Sequence, residues 1–261
     1  MAIIKASFMS EVLERQVGFT AIVPADSVRM ADPGSDNAKN DEPMPAVYLL
    51  SGYSGSGFFW VYNYPVASLS SMNRVAIIMP DPENHFYTDD DMFGYGWGKF
   101  IGTELVDFTR KMFNLSHKRE DTIIGGFSMG GFGALLNGCT YRETFGHIVA
   151  VSGALLTEGV SGPGGDNPFF RGIFGDPAKV PGSHHDPRAA AAAALKEGNA
   201  PSLYMAVGDS DFLKELNYAC RDYLQGIGYP LVFEGGEGGH EHKFCQDHVF
   251  RGVRLAMGKE A

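Results

Sequence analysis

Short apolar runs alternate with longer amphipathic stretches along most of the chain from residue 46 onward. Each run ends in a glycine-rich or polar turn, as buried parallel strands joined by crossover helices do. The pattern predicts an α/β fold with a mostly parallel central sheet and helices on both faces. The predicted strands are residues 47–50, 75–79, 122–125, 148–151, 203–207 and 231–233, and the predicted helices are residues 100–112, 130–138, 188–197, 213–226 and 244–257.

The N-terminal segment has a different pattern, with apolar stretches at residues 3–8 and 17–23. The second stretch alternates and stops at Pro24, so the two predict a short antiparallel strand pair. Residues 31–45 are polar and rich in turn formers, which predicts a loop. Because no repeat or linker separates two cores, we expect a single domain over residues 1–261.

Residues 157–186 do not fit the alternation of strands and helices. This segment is rich in glycine and proline, yet it contains four large apolar residues, Phe169, Phe170, Ile173 and Phe174. Long loops with their own aromatic residues are usually binding loops, so we expect a lid or substrate-binding loop here. The alternative is a surface excursion that these phenylalanines pin to the body of the protein.

Composition narrows the classes of function. The 261 residues are 44% hydrophobic and 20% charged, which describes a globular protein with a sizeable core. A formal net charge of -10 disfavours nucleic acid and anionic membranes as partners. Three widely spaced cysteines without a CxxC pair predict buried thiols. Because the N-terminus carries charges and no apolar run could span a membrane, we expect a cytoplasmic protein.

The clearest chemical motif surrounds Ser128, in the stretch GFSMG at residues 126–130. It fits the pattern G-x-S-x-G, follows the predicted strand at residues 122–125 and precedes a predicted helix. A tight turn in this position presents a serine at the end of a sheet as a nucleophile. The competing interpretation is a serine that only caps the helix.

A serine nucleophile requires a base and an orienting carboxylate, which follow it in the chain in the order acid and then histidine. The strand at residues 203–207 leads to Asp209 and Asp211, and the strand at residues 231–233 leads to His240 and His242. Both pairs follow strands, at the sheet edge where α/β folds place their sites. The order therefore supports a triad.

Other uses of these motifs are less consistent with the sequence. The pairs His184-His185 and His240-x-His242 could hold a metal, but neither has a helix-borne H-E-x-x-H spacing, so we expect no metal. The loop after residues 47–50 is glycine-rich but lacks a P-loop lysine, which disfavours nucleotides. Its amides could instead supply the second donor of an oxyanion hole, beside the Met129 amide.

As a set, these motifs resemble the esterase D and tributyrin esterase family of α/β-hydrolases, a family that includes proteins similar to S-formylglutathione hydrolase. The resemblance covers most of the chain, in the order that the family shows. The segments that carry it are MAIIKASFMSEVLERQVGFTAIVP, VYLLSGYSGSGFFW, IIMPDPENHFYTDD, GFSMGGFGALL, NPFFRGIFGD, GDSDFL and GGHEHKF.

The resemblance implies an α/β-hydrolase fold with Ser128 as nucleophile, His240 as base and Asp211 as acid, Asp209 being the alternative. The amides of Tyr53 and Met129 would form the oxyanion hole. Implied substrates are acetyl to butyryl esters, with acetylated carbohydrate or hydroxycinnamoyl esters as further candidates, and no cofactor. We expect aromatic residues to narrow the cleft, namely Trp60, Tyr87, Phe169 and Phe170. Self-association is a further expectation.

Two positions depart from the tributyrin esterase pattern. Ser51-Gly52 replaces the family's His-Gly and is similar to S-formylglutathione hydrolases, so a thioesterase stays an alternative. His242 stands where an aromatic residue is common, which leaves its role in the pocket open. A binding protein that kept the fold and lost catalysis is the alternative from a different class, and the complete set of serine, aspartate and histidine argues against it.

Overall fold

A computed structural model describes residues 1–25, 42–90, 94–156 and 168–259 of the chain. It contains one eight-stranded sheet with the order β1-β2-β4-β3-β5-β6-β7-β8. Strands β3 to β8 run parallel, whereas β1 pairs antiparallel with β2 and β2 antiparallel with β4. The strands are β1 (Ala2–Ser10), β2 (Arg15–Val23), β3 (Ala46–Leu50), β4 (Ala76–Pro80), β5 (Thr122–Phe127), β6 (His147–Val151), β7 (Ser202–Gly208) and β8 (Leu231–Gly236).

Helices connect and cover these strands. Helices α3 and α4 form one continuous rod, because a π-helical turn, Phe100–Glu104, joins them. Short 3₁₀ turns lie at Arg119–Asp121 and Pro177–Lys179. The helices are α1 (Gly57–Asn63), α2 (Val66–Asn73), α3 (Trp97–Lys99), α4 (Leu105–Met112), α5 (Met129–Thr140), α6 (Pro168–Phe174), α7 (Pro187–Lys196), α8 (Lys214–Gly226) and α9 (His242–Ala256).

The two faces of the sheet bury separate clusters of side chains because successive strand residues point to opposite sides. In β3, Val47 and Leu49 belong to the cluster that α1, α2 and α9 cover. Tyr48 and Leu50 belong to the cluster that α4, α5, α7 and α8 cover. Both clusters are apolar and nearly free of solvent, so both faces of the sheet are closed.

The predicted α/β architecture is confirmed, including the N-terminal antiparallel pair and the parallel strands. Every predicted strand and helix overlaps an observed one. Helices α1, α2 and α6 were not predicted, because seven or eight residues with aromatic or small side chains give little helical periodicity. Two predicted segments are described only in part. Residues 31–41 of the loop predicted at residues 31–45 lie outside the described residues, and so do residues 157–167 of the lid predicted at residues 157–186.

The topology determines where a site can form. The carboxyl ends of β3, β5, β7 and β8 meet at one edge of the sheet, since these strands run in the same direction. The loops that follow them contain all the predicted catalytic residues. Within the described ranges, we find no helix that is both long and apolar enough to cross a membrane.

Candidate active site

Ser128 lies in the single-residue turn between β5 and α5, with φ 60° and ψ -118°. This positive φ is strained for a non-glycine residue, and surrounding contacts hold it. Its N–H donates to Val151 O at 3.0 Å, and its carbonyl accepts the N–H of Ala154 at 2.9 Å. The hydroxyl makes no capping hydrogen bond to α5, which removes the interpretation of Ser128 as a helix cap.

Glycines make this sharp turn possible by close approach to the neighbouring strand. A Cβ on Gly130 would lie 2.2 Å from Leu50 O, and one on Gly126 would lie 2.4 Å from the Gly130 carbonyl carbon. Those neighbours are backbone atoms within buried structure and cannot move aside. The glycines in GFSMG therefore let α5 pack against the end of β3, which directs the serine outward.

His240 connects the serine to the acid. Its Nε2 lies 3.0 Å from Ser128 Oγ, and its Nδ1 lies 3.0 Å from Asp211 Oδ2. The imidazole ring also contacts two phenylalanines, with centroid distances of 4.5 Å to Phe127 and 4.6 Å to Phe212. The histidine is thus held by two hydrogen bonds and by two aromatic contacts.

Backbone hydrogen bonds bring the acid loop and the histidine loop together. The N–H of Asp209 donates to Gly236 O at 2.8 Å, and the N–H of Ser210 donates to Gly238 O at 2.9 Å. Gly238 has φ 142°, a conformation that side chains rarely adopt. The loops after β7 and β8 are therefore fastened to each other, which holds Asp211 against His240.

The structure distinguishes between the two candidate acids. The Asp211 side chain is fully buried and accepts the Leu213 N–H at 2.8 Å in addition to its contact with His240. The Asp209 side chain is 53% exposed and pairs with Lys214 at 3.3 Å. Asp211 is thus the aspartate that is hydrogen-bonded to the imidazole, and Asp209 is a surface residue two positions away.

The charge of Asp211 is stabilised inside the site. Burial by itself raises the pKa of this carboxyl, but the hydrogen bonds from His240 and from the Leu213 N–H favour the carboxylate. The net result is a pKa below the ordinary value for aspartate. A carboxylate that is ionised at neutral pH suits a group that holds one imidazole tautomer and stabilises the imidazolium.

Two backbone amides are available beside the serine. Within the described part of the chain, neither the Tyr53 N–H nor the Met129 N–H donates a hydrogen bond. The loop that carries Tyr53 is folded tightly on itself, since a Cβ on Gly55 would lie 2.9 Å from Gly52 O. The loop is held from behind, because the Tyr87 hydroxyl donates to Ser51 O at 3.0 Å.

A cleft of about 470 Å³ opens above Ser128. Its walls combine the two catalytic loops with the start of α1 and the loop before it. The lining residues are Gly52, Tyr53, Ser54, Gly55, Phe59, Tyr64, Phe127, Ser128, Phe212, His240, Glu241 and His242. Four of these residues were not predicted to face the substrate: Phe127, Phe212, Tyr64 and His242. Of the four, only His242 had a sequence signal, its departure from the family pattern.

The predicted substrate-binding aromatics need correction. Trp60 is fully buried among Phe59 and Tyr64, and Tyr87 is fully buried behind Ser51, so neither side chain lines the cleft. Phe170 is 7% exposed and packs against Phe86 and Phe174. These predictions were wrong because aromatic residues in a loop sequence give no indication of whether they face the core or the cleft.

Phe169 is the most exposed of the four predicted aromatic residues and contacts a residue of the cleft lining. Its ring is 37% exposed and meets the Tyr53 ring edge-on at a centroid distance of 6.4 Å. The described part of the predicted lid, residues 168–186, is pinned to the body by Phe170, Ile173 and Phe174, which are buried. A lid function of this segment stays a prediction.

The remaining histidine pair has structural contacts. His185 Nδ1 lies 2.9 Å from Thr88 Oγ1, and Asp186 caps α7 by accepting the Arg188 N–H. Across the described residues, no group of three or more His, Cys, Asp or Glu side chains is arranged to hold a metal ion. All three cysteines are free and buried, and burial raises the pKa of each thiol to about 12.

Fold and site together define the class of protein. A mostly parallel sheet with helices on both faces and a serine on the turn after β5 is the α/β-hydrolase fold. The chain matches the family described as "Putative esterase" over residues 10–226, and it belongs to this esterase family. It is therefore a carboxylic ester hydrolase.

Individual relatives agree with this assignment. An acetyl esterase of Caldicellulosiruptor saccharolyticus is 35% identical over 257 residues, which cover 95% of this chain and 96% of the relative. A substrate-bound fluorophosphonate-binding serine hydrolase of Staphylococcus aureus superposes with a TM-score of 0.85 at 26% identity, covering 98% of each chain. An S-formylglutathione hydrolase of the same organism superposes with a TM-score of 0.83 at 25% identity, again covering 98% of each chain.

Proposed function

We propose that this esterase hydrolyses short-chain acyl esters through a catalytic triad of Ser128, His240 and Asp211. The observation that carries the proposal is the continuous hydrogen-bonded path from Ser128 Oγ through the imidazole to the Asp211 carboxylate, with 3.0 Å at each step. These distances lie within the range for proton transfer between a nucleophile and its base.

In the first half of the reaction, Ser128 Oγ attacks the ester carbonyl while His240 Nε2 accepts the hydroxyl proton. The tetrahedral intermediate collapses to an acyl-enzyme as the C–O bond to the alcohol breaks, and His240 returns the proton to the leaving oxygen. In the second half, His240 takes a proton from water, the hydroxide attacks the acyl-enzyme, and the released Ser128 oxygen regains a proton. The products are a carboxylic acid and an alcohol.

The unpaired amides of Tyr53 and Met129 would stabilise the oxyanion in both halves. Met129 is the first residue of α5, so its N–H belongs to the positive end of the helix dipole. Loss of one oxyanion donor typically reduces kcat by about 10² to 10³. Because backbone amides cannot be removed by side-chain substitution, Gly55, where a side chain would displace this loop, is the accessible test site.

The similarity to an acetyl esterase supports acetyl to butyryl esters as substrates. The relative with 35% identity is an acetyl esterase, and the cleft of about 470 Å³ must hold both acyl group and alcohol. Acetylated carbohydrate and hydroxycinnamoyl esters are the extended candidates. A panel with 4-nitrophenyl acetate, butyrate and octanoate, acetylated xylo-oligosaccharides and methyl ferulate tests this, and a higher kcat/KM for octanoate than for acetate would contradict the short-chain assignment.

An organophosphonate probe tests the nucleophile directly. We expect stoichiometric labelling of the wild-type protein, mapped by mass spectrometry to Ser128, and no labelling of Ser128→Ala. A folded wild-type protein that takes up no probe would contradict the proposal and favour a binding protein on the same fold.

Hydrolysis of S-formylglutathione is the second candidate. The S-formylglutathione hydrolase of Staphylococcus aureus at 25% identity and the Ser51-Gly52 motif favour it. We expect kcat/KM for 4-nitrophenyl acetate to exceed that for the thioester. A large preference for S-formylglutathione would reverse the assignment.

Cytoplasmic location and self-association stay predictions. Three buried free thiols are compatible with a reducing compartment. Cell fractionation and light scattering of the purified protein test the two expectations separately.

A further inference from the structure

His242 is a second imidazole in the cleft that the triad does not use. It lies two residues after His240, at the start of α9, and it lines the same cavity as Ser128. Its Nδ1 lies 2.9 Å from the hydroxyl of Tyr64. Its Nε2 makes no hydrogen bond with any other described residue, so this nitrogen is available to a bound molecule.

Tyr64 determines how His242 presents that nitrogen. Tyr64 is 5% exposed, and burial raises the pKa of its phenol, which therefore stays protonated at neutral pH. The other group beside the hydroxyl is the Cys245 thiol, a much weaker acceptor than an imidazole nitrogen. When the phenol donates to Nδ1 of the neutral imidazole, the ring hydrogen is placed on Nε2, which becomes a donor toward the cleft.

The position of His242 indicates which part of the substrate it meets. In the proposed mechanism His240 returns a proton to the leaving oxygen, so the alcohol portion must lie on the side of His240. His242, Phe59 and Tyr64 line the cleft together. A shallower depression of about 260 Å³ continues past Phe59 along α1, where Tyr62 is 82% exposed. There is room here for an alcohol larger than a simple alkyl group.

Resting on the proposed function, we infer that His242 is a specificity-determining residue whose Nε2–H donates to an oxygen on the alcohol portion of the ester. The substrate class that it selects is the ester of a hydroxylated alcohol, such as a polyol or a sugar. The flanking Phe59 ring, at a centroid distance of 6.0 Å from His242, supplies an apolar face beside the donor. Glu241 also borders this part of the cleft and disfavours anionic alcohols.

A matched pair of acetates tests the inference. Glycerol 1-acetate and propyl acetate share the acyl group and a three-carbon alcohol, and they differ in two hydroxyl groups. The readout is the ratio of their kcat/KM values, measured by pH-stat titration. An ordinary hydrogen bond corresponds to a preference of up to about tenfold, so we expect the ratio to fall by about five- to tenfold in His242→Phe.

Further variants separate hydrogen bonding from packing. His242→Gln places an amide N–H near the position of Nε2 and is expected to keep at least half of the wild-type ratio. Tyr64→Phe removes the group that orients the imidazole, and we expect an intermediate ratio. His117→Phe is the control, because His117 is exposed and lies outside the cleft lining, and both its ratio and its activity are expected to equal those of the wild type.

These measurements distinguish failure of the inference about His242 from failure of the proposed esterase function. If the wild-type protein hydrolyses neither acetate and Ser128 is not labelled, the esterase mechanism itself is contradicted. If both acetates are hydrolysed and His242→Phe keeps the wild-type ratio, only the inference about His242 is overturned. An equal loss on both substrates also overturns it, because a merely structural role lowers both rates together.

Discussion

The base and the rim of the cleft are built in different ways. At the base, Ser128, His240 and Asp211 are connected by hydrogen bonds, and backbone contacts hold the turns that carry them. At the rim, the side chains of Phe212 and Tyr53 are 74% and 51% exposed. The base is over-determined by its surroundings, whereas the rim is free to change without disturbing the fold.

This difference separates chemistry from selection. A strained serine with φ 60° is maintained only because glycines, strand ends and the following helix all fix the same geometry. Rim side chains carry no such constraint, so relatives can keep one reaction and differ in substrate. We therefore expect substitutions at the base to abolish turnover or folding, and substitutions at the rim to change substrate preference by modest factors.

The largest effect is expected for Ser128→Ala. Without the nucleophile, kcat should fall by about 10⁴- to 10⁶-fold. The melting temperature should change little, because among the described residues the Ser128 hydroxyl is hydrogen-bonded only to His240. Steady-state hydrolysis of 4-nitrophenyl acetate and thermal unfolding measure the two quantities. Activity near that of the wild type would refute the assignment of Ser128 as the nucleophile at the base of the cleft.

Asp211→Asn is expected to have the next largest effect. Loss of the carboxylate leaves the imidazole in the wrong tautomer. In serine proteases with a Ser-His-Asp triad, the same change lowers kcat by about 10⁴-fold. Asp209→Asn is the matched control, since the exposed Asp209 side chain pairs with Lys214 at the surface, and its activity should stay within about threefold of the wild type. The reverse order would transfer the role of the acid to Asp209.

Gly130→Ala tests the packing below the serine. The new Cβ would lie 2.2 Å from a backbone oxygen, so the free energy of unfolding should fall by about 3 kcal/mol or more. Gly226→Ala, in α8 with nothing within 4 Å, is the control and should stabilise the protein by about 0.5 kcal/mol. Urea denaturation measures both, and equal effects would show that the turn tolerates a side chain.

Low pH should remove the stabilisation that the Asp211 carboxylate gives to the base of the cleft. Because the pKa of Asp211 is lower in the folded protein, the unfolded chain binds the proton more readily. The stabilisation is present above the ordinary carboxyl pKa of about 4 and is lost as the pH falls through the folded value. The difference in melting temperature between wild type and Asp211→Asn should therefore be constant above about pH 5 and shrink as the pH falls below about 4. A difference that grows on acidification would contradict this sign.

Phe212→Ala is expected to have the smallest effect. Its ring contacts one face of His240 but is largely exposed, so kcat/KM should fall by less than about tenfold, with little change in melting temperature. A loss of kcat/KM as large as that of Asp211→Asn would place Phe212 among the residues at the base of the cleft. The distinction between the base and the rim of the cleft would then be removed.

The strands, most helices and the order of the triad could be predicted because they depend on local signals. Apolar periodicity marks β3 to β8, and a serine in a glycine turn after a strand has one well-known geometry. The choice of Asp211 over Asp209 rested on family resemblance and agrees with burial in the structure. Burial of Trp60 could not be predicted, since the seven residues of α1 give too little periodicity to show which of its aromatic side chains face the core.

By itself, the sequence determined the α/β fold class, the serine turn and the chain order of acid and base, because each follows from neighbouring residues. Only the tertiary structure decided which groups meet across the sheet edge. The hydrogen bond between Tyr64 and His242 joins residues 178 positions apart, and no local pattern predicts it. Such contacts arise when parallel strands bring the ends of distant segments to one edge, which is why the cleft became visible only after the chain was folded.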